Sequence, residues 1–259
     1  VLNVLRSVVQ FVLFMFVGML AFLELGRRVR WYQRAHGKEG ASAGSAAVAG
    51  AVFALLGLLI AFIFSAAAGR FETRRNLAVD EANNIGTAYL RIDLLPADAQ
   101  PALRELFRKW VDTRLAVYRA LPDTIKAKTA VEQTSELQGQ IWALCVASAQ
   151  RSPAPAIAAQ VFSAVNAMFD IANTRTWAMR AHTPREIFIM LAIAALFAAL
   201  LAGYDMGQVD TRSWIHMILF SAVFAMAVFV IYDLEYPRGG FIRIDAWDQG
   251  LVDVRQSMH

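Results

Sequence analysis

Cysteine is almost missing from this chain. Cys145 stands alone, so no internal disulfide can form and cysteine usage says nothing about compartment. Histidine is scarce too: His36, His182, His216 and His259 lie far apart and lack metal-ligand spacing such as HExxH. No P-loop or GxGxxG occurs, which removes the common signatures of NTPases and dinucleotide enzymes. Charge is thin, at 18% Asp, Glu, Lys and Arg against about 25% in soluble domains. The net charge of +4 is compatible with nucleic acid, but the arginines gather at the ends of apolar runs. Arg27, Arg28, Arg30, Arg70, Arg74 and Arg75 stand where anionic head groups lie. No enzyme activity, cofactor, metal or nucleic-acid partner is expected.

What the chain has is apolar length. With 58% hydrophobic residues and a mean hydropathy of +0.44, it holds four runs at about Val4–Leu23, Ala46–Gly69, Ile187–Gly203 and Trp214–Tyr232. A helix needs roughly 20 apolar residues to cross a hydrocarbon core, within about 17–25. The first run ends in Glu24-Leu25-Gly26-Arg27-Arg28, a stop-transfer flank rather than a cleavage site, so it reads as a retained helix. The expected fold class is all-α. Residues 1–69 form a first transmembrane hairpin, 70–185 a helical extramembrane domain, 186–232 a second hairpin and 233–259 a polar tail. The expected partner is the lipid bilayer, crossed by several helices. Five Lys/Arg in the loop from Gly26 to about Ser45 put the short loops in the cytoplasm. Arg70, Arg74, Arg75, Arg175, Arg180 and Arg185 count the other way, and orientation stays open.

No breaker follows the second run until Pro96, so its helix continues into the polar insert as a rod of roughly 70 Å. Apolar periodicity then gives helices from about Pro101 to Leu121, from Asp123 as cap to about Arg151, and from about Ala156 to Ala181. Pro122, Pro153 and Pro155 separate them. Thr183-Pro184-Arg185-Glu186 reads as an N-cap, a first-turn proline and a capping-box glutamate opening the third membrane helix.

Three features of the second helix are candidates for function. Gly50, Ala54, Gly57, Ala61, Ser65 and Ala68 make a small-residue face that lets another helix come close, with Val52, Leu55, Leu56, Leu59 and Ile63 opposite as a lipid surface. Phe53, Ile60 and Phe64 form a bulky stripe: either ordinary packing, or a ring around a symmetry axis that closes a pore by dewetting. Asp80, Asn83, Asn84, Thr87 and Arg91 share a helical face, with Glu81 nearby: either a polar helix contact, or the vestibule of an ion path. Glu72, on the small-residue face, pairs with an arginine or lines that path. Glu24, Asp233 and Glu235 read as interfacial charges, His216 as an interfacial histidine or a pH sensor, and Cys145 as core.

The stretch from Gly50 to Arg91, together with VIYDLEYPRGGFIRID at Val230–Asp245, resembles the bacterial bestrophin-like family of membrane proteins of unknown function. The resemblance covers about Leu20 to Val254. That family is distantly similar to bestrophins, pentameric anion channels in which two membrane helices precede a helical domain, two follow it, and the second lines an apolar neck. The resemblance implies a multi-pass homo-oligomer of a bacterial inner membrane, a pentamer by preference, passing small inorganic ions through an axial pore. Phe53, Ile60 and Phe64 would be its gate, and Glu72, Asp80, Asn83, Asn84, Thr87 and Arg91 its vestibule. The chain departs from bestrophins in lacking the acidic run of their calcium clasp, since Asp233, Glu235 and Asp245 are scattered. The alternative is a non-conducting membrane scaffold or sensor whose helical domain binds a partner.

Overall fold

A computed structural model describes residues 2–37, 42–121, 123–151, 155–208 and 212–259. Its α-helices are α1 (Leu2–Ala35), α2 (Ser42–Leu90), α3 (Gln100–Ala120), α4 (Thr124–Gln150), α5 (Pro155–Arg180), α6 (Arg185–Met206), α7 (Trp214–Glu235) and α8 (Gln249–Ser257). Short 3-10 turns occupy Arg91–Leu94 and Asp245–Asp248. No strand occurs among the described residues. Pro122 and Pro153, expected as breakers, lie outside them. Four stretches, Arg6–Ala35, Ala47–Leu94, Ala156–Met206 and Trp214–Glu235, are long and apolar enough to cross a membrane.

The chain divides into two compact units. One comprises Leu2–Gly69 and His182–Tyr236. Within it α1 packs on α6 and α7. Gly18 faces Leu196, Gly26 faces Leu200 and Gly207 faces Arg30, so α1 and α6 run in the same direction. Phe11 meets Tyr232 while Glu24 meets Arg212, so α7 runs against α1. The closest approach is between backbones: a Cβ at Gly203 would lie 1.9 Å from the Leu23 carbonyl oxygen, and one at Gly26 2.0 Å from that of Leu200. Small residues at a helix crossing let backbones touch and gain dispersion contacts that lipid cannot supply. Within the chain this role falls to Gly26 and Gly203. A Cβ on Gly50 or Gly57 of the small α2 face would meet nothing within 4 Å.

The first loop is shorter than the sequence suggested, because α1 continues to Ala35. Nothing after Gly26 breaks the helix, and Glu24 bonds Arg27 and Arg28 at i+3 and i+4. Arg34 then caps α6 by donating to the Gly207 and Gln208 carbonyls. Residues 38–41 of that loop lie outside the described part. The start of α6 also differs. Pro184 holds the N-cap position with no side-chain cap, and the Thr183 hydroxyl donates to Glu235 at 2.6 Å instead. The Thr183 amide, which a capping-box Glu186 would accept from, also donates to the buried Glu235 carboxylate at 3.4 Å, and Glu186 pairs with Arg185.

The second unit comprises Arg70–Ala181 and Pro237–His259. Trp110, Phe107, Tyr118, Ile85, Ile92, Leu103, Ile141 and Met168 are fully enclosed in its core. Burying each large apolar side chain contributes about 1.5–3 kcal/mol. Asp123 caps α4, accepting from the Ile125 and Lys126 amides. Cys145 lies in this core, and burial pushes its thiol up to about 11. The C-terminal segment is part of the unit: Leu251 is buried, Arg255 bridges to Asp112, and the Tyr89 hydroxyl donates to the His259 carbonyl at 2.7 Å.

Candidate functional site

Helix α2 carries every candidate residue except Arg91, which lies in the 3-10 turn that follows. In the unit that holds its first part, Ala49, Leu56, Ile63 and Ala67 are its buried seam, at spacings of seven, seven and four. Leu56 and Ile63, expected to face lipid, therefore face protein. Leu55 is exposed as expected. Phe53 and Ile60 border the seam half-buried, and Phe53 meets Phe220 edge-on at 6.0 Å. Phe64 is 45% exposed. Gly50, Ala54, Gly57, Ala61 and Ser65 are all exposed.

Farther along α2, Asp80, Asn83 and Thr87 are exposed. The Asn84 side chain donates to its own helix at the Asp80 carbonyl, 2.8 Å away. Arg91 donates to the Gln160 carbonyl of α5 at 2.9 Å. Glu72 accepts from Arg75 at 2.6 Å. Asp80, Asn83 and Thr87 thus form one open polar face, while Arg91 is fastened to α5.

Beside that face, pointing the other way, lies a charge network that the sequence reading did not assemble. Glu81 is fully buried. Its carboxylate accepts from Arg114 at 2.7 Å, Arg175 at 2.6 Å and the Tyr118 hydroxyl at 2.7 Å. Arg175 reaches on to Asp248, and Arg238 joins Asp248 at 2.8 Å to Asp245 at 3.0 Å. The guanidiniums of Arg175, Arg114 and Arg238 lie 3.8, 4.9 and 5.2 Å from the centroid of the Tyr118 ring. Burial opposes ionisation of Glu81, but the charges of Arg114 and Arg175 and the Tyr118 hydrogen bond outweigh it. The carboxyl lies below its ordinary range. Burial, then the Glu81 charge, pushes the Tyr118 phenol up. A carboxylate held ionised by two arginines is a poor proton acceptor, so the network ties helices together rather than performing acid–base chemistry.

The signal for it was present in the sequence. Glu81 falls in the apolar register of Ala78, Ala82 and Ile85, Arg114 in that of Phe107, Val111 and Tyr118, and Arg175 in that of Val165, Met168 and Ala172. A charge on a core-facing position must find a partner. Arg175 is accordingly spent on buried partners rather than offered to head groups, and so is Arg74, which is buried and donates to the Ala178 and Ala181 carbonyls. Glu235 is likewise buried, against Thr183 and His182. His216 contacts Ser213 at the start of α7. No three His, Cys, Asp or Glu gather as a metal site among the described residues.

The all-helical fold and its long apolar helices define a class of polytopic membrane protein. The sequence matches the Bestrophin-like domain over residues 13–246, and the chain belongs to that family. Its fold is similar to crystal structures of variants of a bacterial bestrophin homologue from Klebsiella pneumoniae. One aligns with a TM-score of 0.70 at 13% identity, covering 95% of this chain and 98% of that one. Another aligns at 0.68 and 13%, covering 95% and 99%. A third structure, of a membrane protein, aligns at 0.68 and 13%, covering 94% and 98%. None of the curated proteins compared matches the sequence.

Proposed function

We propose that this protein is an oligomeric ion channel of the bacterial inner membrane, passing anions through an axial pore lined by α2. Phe53, Ile60 and Phe64 form its hydrophobic gate. Glu72, Asp80, Asn83, Asn84, Thr87 and Arg91 line its vestibule, in a helical extramembrane domain inserted between the second and third spans. The observation that carries this reading is the exposure of α2. A 49-residue helix buries one narrow seam and leaves Phe64, its small-residue face and its polar face uncovered in the single chain. In a chain with a bestrophin-like fold, a ring of copies, five by preference, gives those faces an axis to surround. Apolar constrictions gate by dewetting, so smaller side chains there open the path.

The test is chloride and potassium flux from liposomes holding the wild-type protein or the Ile60→Ala/Phe64→Ala variant. Chloride flux that rises severalfold in the variant is the expected result. Silence from both, in protein verified as folded and inserted, overturns it. The alternative reading is a non-conducting scaffold or sensor, favoured by the exposed face of Gly50, Ala54, Gly57, Ala61 and Ser65, which suits back-to-back packing of two α2 helices.

A further inference from the structure

Where α1 leaves its apolar run, one carboxylate gathers three arginines. Glu24 accepts from Arg27 at 3.1 Å and Arg28 at 2.8 Å, both on α1, and lies 3.0 Å from Arg212 just before α7. Among the described residues one negative charge thus meets three positive ones, and positive charge is left over. Among the described residues, Arg28 makes only the one bond from its Nε, its side chain is 71% exposed, and its two terminal nitrogens remain unspent. Arg212 stacks on Trp214, its guanidinium 3.7 Å from the ring centroid, and Trp214 is itself half-exposed.

The surroundings say what kind of anion fits. On α1 the exposed residues Phe14, Val17, Ala21 and Leu25 follow one another at spacings of three, four and four, and Arg28 is the next member of that stripe. On α7 the exposed Ile215, Leu219, Val223 and Met226 run away from the Arg212–Trp214 pair. An apolar stripe of this length is covered by an acyl chain. The guanidinium that ends it stands at head-group depth, where tryptophan also prefers to lie. A guanidinium with two free N–H edges matches a phosphate oxygen pair. A small free anion would need the arginines but gain nothing from the stripe.

We infer that Arg28 and Arg212, oriented by Glu24 and flanked by Trp214, bind the phosphodiester head group of an anionic phospholipid whose acyl chain lies along the Phe14–Leu25 stripe. This site is independent of whether the protein conducts ions.

The test is native mass spectrometry of the purified full chain titrated with phosphatidylglycerol, with phosphatidylcholine, and with inorganic phosphate as competitor. Each basic residue near an anionic surface contributes about a factor of five. With two such arginines, phosphatidylglycerol should therefore bind roughly 25-fold better than phosphatidylcholine, and Arg28→Gln should lower that preference by about fivefold. Arg28→Gln with Arg212→Gln should lower it by roughly 25-fold. Arg28 is exposed enough that its variant keeps the fold. Arg151→Gln, in the other unit, should keep the preference and serves as control. Equal binding of the two lipids, a preference unchanged in the double variant, or complete displacement by inorganic phosphate overturns the inference. The last outcome assigns the arginines to a free anion instead.

Discussion

Glu81 is the residue on which most of the buried charge depends. It is fully enclosed, and among the described residues it alone neutralises Arg114 while sharing Arg175 with Asp248. Glu81→Gln keeps the shape but leaves the buried Arg114 guanidinium without its counter-ion and Arg175 with Asp248 only, an effect of about 3–5 kcal/mol in comparable pairs. Chemical unfolding of the detergent-purified variant should show a loss of that order; a change within error would mean that water reaches the network. The pH dependence has a definite sign. The Glu81 carboxyl lies below its ordinary 4.5 in the fold, so its stabilisation is fully present above that pH. It should drain away as pH falls below 4.5 toward the folded value, and Glu81→Gln should flatten this acid limb.

Among the elements, α1, α2 and α6 use small residues in opposite ways. The α1–α6 crossing is closed by Gly26 and Gly203, where an added methyl would meet a carbonyl oxygen at 2.0 and 1.9 Å. Nothing flexible can yield there, so Gly203→Ala must separate the helices and should cost more than the ~1–3 kcal/mol usual for overpacking. Melting followed by intrinsic fluorescence would read this as a large drop in midpoint. Gly57→Ala meets no atom in the chain and should leave the single-chain fold intact. If the small face of α2 packs between copies, the same substitution should loosen the oligomer, visible as a shift in particle mass by light scattering. An unchanged mass would place that face in lipid.

For the whole molecule, the two functional readings predict different symmetries. Single-particle images of the protein in nanodiscs should show a closed ring with α2 innermost and an axial path if it is a channel. A two-fold particle with its α2 helices in contact would leave no axis to conduct along and would favour the scaffold.

The sequence by itself determined the class and the elements. Long apolar runs must be helical where no water satisfies the backbone, and the periodicity of Leu103–Tyr118 and the Asp123 cap mark helices wherever they occur. It also determined that Cys145 is core. Only the tertiary structure decided which faces meet. The buried α2 seam is Ala49–Leu56–Ile63–Ala67, although its residues look no more interior than Leu55 or Leu58. Every face of a membrane helix is apolar, so hydrophobicity cannot choose among them. The destination of Thr183 and the pairing of Arg175 were decided the same way. A local cap and a membrane-edge cation are each the nearest option along the chain. The fold brings Glu235 and Glu81 closer in space, and a buried carboxylate accepts a hydrogen bond more strongly than water or a surface partner can match.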